Sequence, residues 1–304
     1  MSDTTRRDAL LLLAAASASC TTAAARTADA VTGAGAGAGA VVGPGTAPVR
    51  FSTDFVPKLP MDVYAKIRCS LRDAAVPFWY RGHVMIALQD DIPRPILGVE
   101  GFSYTRFTPD TNDGWMTQLV EVGYFTDPAT GAIVDEAKNP LTGALIKPRH
   151  FRSPVQALRV RPDGAIWSSR KMTPPSEFLG RVWAPHTQGP ETWVDEDAVA
   201  KLPSDALPPG LHEGGPVRML TLGAMTTYRA RTADIADPRL ASAPCTFHLQ
   251  ELASLPAWFG MGDAVGKQLW RVSGRKLGSV DEIPPALRAR IERDHPGFVS
   301  APAL

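Results

Sequence analysis

Ionisable side chains set inside apolar, strand-like runs are the first candidates for chemistry in this 304-residue chain. Three such runs follow one another: 78–88 (FWYRGHVMIAL), 96–104 (ILGVEGFSY) and 115–126 (WMTQLVEVGYFT). Each is rich in β-branched and aromatic residues and bounded by Pro, Gly, Asn or Asp, the signature of strands. Side chains alternate across a strand, so Trp79, Arg81, His83 and Met85 share one face of the first. Ile96, Gly98, Glu100, Phe102 and Tyr104 share a face of the second, and Thr117, Leu119, Glu121 and Gly123 one of the third. A charge in such a setting is costly unless paired, which predicts a polar cluster of Arg81 with Glu100 and Glu121. Tyr80 and His83 beside it are the candidates for proton transfer, and Arg81 for holding an anionic oxygen. An ion-pair network that only braces the sheet is the competing reading.

The aromatic residues set the kind of ligand. Trp79, Tyr104, Tyr124, His150 and Trp258 are the candidate ligand-binding set, and a β-rich container lined by them suits an aromatic, phenol-like compound. Two function classes follow. One is a cofactor-independent lyase or isomerase that needs only acid–base groups; the other is a periplasmic binding or carrier protein using the same residues to orient a ligand. The enzyme is favoured, because several titratable groups inside a sheet are costly for binding alone. No nucleophile elbow, phosphate loop, dinucleotide fingerprint, CxxC or HxxxH occurs, so neither a cofactor nor a metal is expected. Gly260-Met261-Gly262-Asp263 lacks the helix a nucleotide loop needs and is read as a tight turn. The six histidines are dispersed, and each is more readily a packed, hydrogen-bonded residue than a ligand, although several meeting at a barrel mouth would suit a metal.

The elements that must position these residues are mostly strands. A short helix is expected over 62–71, with Val63, Ile67 and Leu71 at helical spacing and Asp62 as its N-cap. After the third run, 127–131 (DPATG) and 139–143 (NPLTG) are two turns of one type, and 161–164 (RPDG) is a third, between strands at 155–160 and 165–169. Strand signals return at 217–230 and 245–252, and a closing helix is expected over 284–293. The stretch 174–215 is punctuated by Pro and Gly and predicts a long connection with a helical turn at 196–201. Its Trp183, His186 and Trp193 fit either a lid packed over the domain or a surface excursion. The whole predicts a mainly β, single antiparallel barrel-like domain over 51–304, with short helices near each end.

The N-terminal part is read as an address. Arg6-Arg7 ahead of the apolar run Leu10–Ala18 resembles a twin-arginine export signal over residues 1–30, and Ala23-Ala24-Ala25 or Ala28-Asp29-Ala30 would suit cleavage. Cys20 follows a weak lipoprotein-like box. The apolar run is too short to span a membrane, which takes about 20 residues. The Gly/Ala repeat at 33–40 makes 31–50 a flexible tether. The expected location is the periplasm. With a net charge of +1 and scattered basic residues, nucleic acid is not an expected partner; a small molecule is, with at most a second copy of the chain as a homodimer. Cys69 and Cys245 would be either a disulfide in that compartment or two buried thiols, the second being favoured.

The runs 79–82 (WYRG), 98–101 (GVEG), 121–127 (EVGYFTD) and 139–143 (NPLTG), with the segment Trp258 to Lys276, resemble a bacterial family, domain of unknown function 1838. The resemblance covers about Val63 to Phe298, and its order of short runs is more specific than any one of them. It implies a single exported domain, often with a twin-arginine leader, and no established general activity. Phe78 and His83 stand where relatives are expected to carry an aromatic or basic residue, so the role of His83 is read as particular to this chain.

Overall fold

Antiparallel pairing carries the whole architecture, which comes from a computed structural model describing residues 58–89, 91–111, 113–168, 176–203, 219–262, 264–300 and 304. The export signal, the Gly/Ala tether and His212 lie outside the described residues. The chain begins with helix α1 (Met61–Arg68) and runs into three long strands, β1 (Val76–Leu88), β2 (Arg94–Pro109) and β3 (Trp115–Thr126). A small excursion follows, with β4 (Ala137–Lys138), β5 (Leu145–Ile146) and β6 (Phe151–Arg152). Then come β7 (Gln156–Val160), β8 (Ala165–Ser168), β9 (Glu177–Val182), β10 (His186–Gln188), β11 (Glu191–Pro203) and β12 (Met219–Arg231). Helix α2 (Thr232–Ala236), β13 (Cys245–Ser254), β14 (Gly266–Lys276) and helix α3 (Pro285–Asp294) complete it.

Ten strands close into an antiparallel barrel in the order β11-β12-β13-β14-β1-β2-β3-β7-β8-β9. The ring shuts where β9 pairs with β11, from Val182 opposite Glu196 to Glu177 opposite Lys201. Closure removes sheet edges, which is the expected solution for so many meander strands. It also corrects the reading of 174–215. In place of a long connection, the described part holds β9, β10 and the 13-residue β11, and residues 196–201 are strand, not a helical turn. Alternation is visible in β11 in hindsight: Val194, Glu196, Ala198, Ala200 and Leu202 all face the lumen side of their partners. Thr192 and the charged outer residues masked that pattern.

The two ends of the barrel are closed differently. Helix α1 plugs one, burying Tyr64, Ala65 and Ile67 against Phe78, Phe107, Val160, Ile166 and Tyr228. Its N-cap is Pro60, with Asp62 in the first turn rather than at the cap. The excursion after β3, joined by the 3-10 turn Ala257–Phe259 that follows β13, covers the other end, bringing Ile146, Phe151 and Phe259 against Phe125, Leu97 and Trp270. Its two turns are alike: Asp127 Oδ1 accepts from the N–H groups of Ala129 and Thr130, Asn139 Oδ1 from those of Leu141 and Thr142. Gly131 and Gly143 close them at φ 74°, a conformation that costs glycine little. Outside the barrel, Leu287 and Ile291 of α3 pack on Phe102, Tyr104, Val120 and Val122 of β2 and β3.

One buried cation ties the plug to the wall. Lys276, at the end of β14, donates from Nζ to the carbonyls of Lys66 (2.9 Å), Cys69 (2.9 Å) and Ala243 (2.8 Å) and to Ser242 Oγ (3.0 Å). Cys69 and Cys245 beside it are both buried free thiols. Lys276→Met removes all four hydrogen bonds; the Lys66 and Cys69 carbonyls keep the Ala243 N–H and the Ser242 hydroxyl, while the Ala243 carbonyl loses its donor, so the loss should be about 2–3 kcal/mol. Urea unfolding would measure it; a loss below about 1 kcal/mol would mean that the ammonium does not hold α1 in place.

Candidate functional site in the barrel lumen

The lumen holds a cavity of about 190 Å³ between the two plugs. That is somewhat larger than an apolar cavity of roughly 150 Å³ that admits benzene, so one aromatic ring with a substituent is the fitting scale. The walls are mainly apolar: Phe178, Leu222, Leu249, Trp270 and Val272 among them. Polar groups gather at two places.

At the end nearer the excursion stand Tyr80, Glu121, Gln156 and Glu251. Glu121 comes from β3, where its backbone is fixed by a reciprocal pair: its N–H donates to Ser153 Oγ and its carbonyl accepts from the Ser153 N–H, both at 2.8 Å. Glu251 comes from β13, opposite Ala224 on one side and Trp270 on the other. The Trp270 indole N–H is already given to Gln268 Oε1 at 3.0 Å. Tyr80 lies over Gly101, where a Cβ would fall 2.2 Å from the ring; only glycine leaves room for the ring. Glu121 is 7 % and Glu251 1 % exposed. Burial pushes both carboxyls well above the usual carboxylate range; the charge on Glu121 adds to the rise at Glu251, and Arg68 opposes it at Glu121. Burial likewise raises Tyr80, reinforced by Glu121 and Glu251. Among the described residues, Glu251 Oε1 and Gln156 Nε2 have no hydrogen-bond partner. An unpaired buried polar atom costs about 1–3 kcal/mol, and here an acceptor on β13 and a donor on β7 are both left so around one cavity.

At the helix end, Arg68 reaches into the cavity from the last turn of α1. Its Nη1 donates to Thr105 Oγ1 at 2.9 Å, and its guanidinium lies 4.9 Å from the Tyr228 ring centroid and 5.5 Å from that of Phe78. Glu196 Oε2 is 3.5 Å from Arg68 Nε and accepts from Tyr64 Oη at 3.2 Å. Burial pulls the Arg68 pKa down, but Tyr228, Glu196 and Tyr64 together more than offset this and leave it raised.

Two of the residues singled out in the sequence meet in the lumen, Tyr80 and Glu121. The expected clasp of Arg81 by Glu100 and Glu121 does not form. Arg81 is exposed on the outer face of β1, opposite Glu100, while Glu121 points inward. The face carrying Trp79, Arg81, His83 and Met85 is the outside of the barrel, and Trp79 Nε1 donates there to Glu100 Oε1 at 2.8 Å. Tyr104 and Tyr124 lie on the outer wall beneath the C-terminal segment, Tyr104 donating to the Val299 carbonyl and Tyr124 lying under Arg290. His150 is pinned between the Phe125 N–H at Nδ1 (3.1 Å) and Asp135 at Nε2 (3.0 Å), and burial lowers its pKa. Trp258 packs edge-on to Phe125 and Phe259 at the excursion end. None of the described histidines lines the cavity. Glu251, Gln156, Arg68 and Glu196 escaped the sequence reading. For Glu251 a signal existed: Cys245, Phe247, Leu249 and Ala253 form an apolar alternating set in which it is the one carboxyl.

A closed antiparallel barrel with a carboxyl-bearing lumen defines the class of protein. The family model described as protein of unknown function (DUF1838) matches residues 73–184 and 212–304, and the chain belongs to that family. No curated protein and no solved structure matches it. Tyr80, Glu121, Gln156 and Glu251 lie within the matched residues, whereas Tyr64, Arg68 and Glu196 lie outside them.

The raised carboxyl pKa values give a stability signature. Folded Glu121 and Glu251 bind protons that the unfolded chain, titrating near 4.3, releases. Their contribution is therefore fully present below about pH 4 and is lost as pH rises toward the folded values. Glu121→Gln and Glu251→Gln should each match the parent at pH 4 and exceed it at pH 8 by about 1–3 kcal/mol. Urea unfolding at both pH values checks this; variants weaker than the parent at pH 8 would show that the carboxyls are ionised and stabilising.

Proposed function

We propose that this protein takes a small, single-ring phenolic compound into its lumen and acts on it by acid–base chemistry without a cofactor, as a lyase or isomerase. The observation that carries the reading is the carboxyl pair itself. Two buried carboxyls, a tyrosine and an unpaired amide converge on one cavity at a cost in stability that packing alone would avoid. Two neighbouring carboxyls titrate as a pair in two steps. With one proton removed, the carboxylate can take a proton from the substrate while the carboxylic acid protonates the leaving oxygen as its C–O bond breaks. The net transfer is from carbon or phenol to the leaving group, and one proton stays with the pair. Gln156 Nε2 is the free donor for a substrate oxygen.

A carrier using the same groups is the alternative, supported by the mainly apolar walls, and turnover separates the two. Incubated with single-ring phenols bearing a leaving group on the side chain, the parent should consume one of them. Glu121→Gln and Glu251→Gln should bind it with affinity changed by less than about tenfold and turn it over about 10²–10⁴-fold more slowly. Binding without consumption by the parent across the panel would favour the carrier.

Export belongs to the same proposal and rests on Arg6-Arg7 ahead of Leu10–Ala18. Replacing both arginines by lysine should leave the protein in the cytoplasm; undiminished periplasmic protein would contradict the route.

A further inference from the structure

The helix end of the cavity gathers buried cations around one aromatic ring. Two of them flank the Phe78 ring. Arg68 lies 5.5 Å and Lys276 5.9 Å from the Phe78 ring centroid. One carboxylate, Glu196, faces them, and the side chains of Arg68 and Glu196 are only 12 % and 19 % exposed. Lys276 is satisfied by three carbonyls and a hydroxyl, with no carboxylate among its partners. Burial draws it down to about 8, against Cys245 and Cys69, so it stays mostly protonated at neutral pH. Tyr64 and Tyr228 are held neutral, chiefly by burial, and Cys69 and Cys245 are raised in the same way. Burial raises Glu121 and Glu251 in the same way. Arg68 is thus the cation that borders the cavity, with Glu196 as its carboxylate neighbour and Lys276 behind the Phe78 ring, in a poorly solvated space.

The geometry of the Arg68–Glu196 pair points the same way. Its 3.5 Å separation exceeds the roughly 2.7–2.9 Å of a charge-assisted hydrogen bond. Glu196 thus lies beside Nε without a two-pronged grip on the guanidinium; the neutral hydroxyls of Thr105 and Tyr228 are its other partners, which a carboxylate gripping the planar fork through two N–H groups would displace. Arg68 borders the cavity, flanked by the faces of Phe78 and Tyr228.

We propose that Arg68 is a specificity-determining residue that holds the carboxylate of a single-ring aromatic acid, with the ring lying toward Tyr80, Glu121 and Glu251. This rests on the lumen being the binding site, as read above, and it narrows the substrate class from phenols to aromatic acids. Arg68 and Glu196 fall outside the family-matched residues while the carboxyl end falls within them.

Calorimetric titration with benzoate and with its neutral isostere benzamide tests the inference without any turnover. The parent should bind benzoate at least about tenfold more tightly. Glu196→Gln removes the competing carboxylate and should tighten benzoate while leaving benzamide unmoved. Arg68→Met alone would strand Glu196 in the lumen, so it is combined with Glu196→Gln, which leaves no unpaired charge there; this pair should level the two ligands. Equal affinities in the parent, weaker benzoate binding in Glu196→Gln, or a preference surviving in the double variant would each overturn the inference. Binding of neutral phenol with no binding of benzoate would overturn it and leave the lumen reading standing. If phenol, benzamide and benzoate all fail to bind, both readings fall.

Discussion

Pairing of β9 with β11 turns a curved sheet into a tube, and every later property of the molecule depends on that contact. Once the tube is shut, one face of each strand looks onto a space sealed by α1 at one end and by the excursion after β3 at the other. A glutamate that would be unremarkable on an open sheet becomes a desolvated carboxyl. Its ionised form is disfavoured by burial, and two of them near each other compound the effect. The chemistry proposed for Glu121 and Glu251 is thus a consequence of closure more than of any local sequence around either residue.

The plug is the second half of the same construction. A barrel of ten strands has an interior that side chains alone do not fill evenly, and α1 supplies the missing volume at one end. Helix α1 is held by Lys276, whose ammonium bonds carbonyls at its last turn and just beyond. That fixing delivers Arg68 into the lumen at a defined place. Lys276 and Arg68 are therefore coupled through one helix and share the Phe78 ring between them.

Strand positions were largely legible in the sequence, and which face of each strand is dry was not. In β1 both alternating sets look apolar: Phe78, Tyr80, Val84 and Ile86 inward, Trp79 and Met85 outward. Further along the sheet, the outer faces of β2 and β3 are covered by α3 and the C-terminal segment, so those strands are buried on both sides and alternation cannot choose between faces. Grouping Arg81 with Glu121 followed from that ambiguity. In β13, by contrast, Thr246, His248 and Gln250 face outward against Cys245, Phe247, Leu249 and Glu251, a clean alternation that marks the inward carboxyl. Strand β11 was obscured by charged residues and by Pro and Gly on either side, and with it went the knowledge that Glu196 meets Arg68. That meeting joins residues 128 positions apart, which no local pattern encodes.

The central claim is that burial in the lumen raises both glutamates well above the usual carboxylate range. Infrared difference spectroscopy between the parent and the Glu121→Gln and Glu251→Gln variants at about pH 5.5, above the ordinary glutamate value of about 4.3, reads this directly from the carboxyl stretch. Each variant should lose intensity in the protonated C=O band, and the ionised carboxylate bands should be unchanged. Loss from the carboxylate bands, with no protonated component in the parent, would contradict the account.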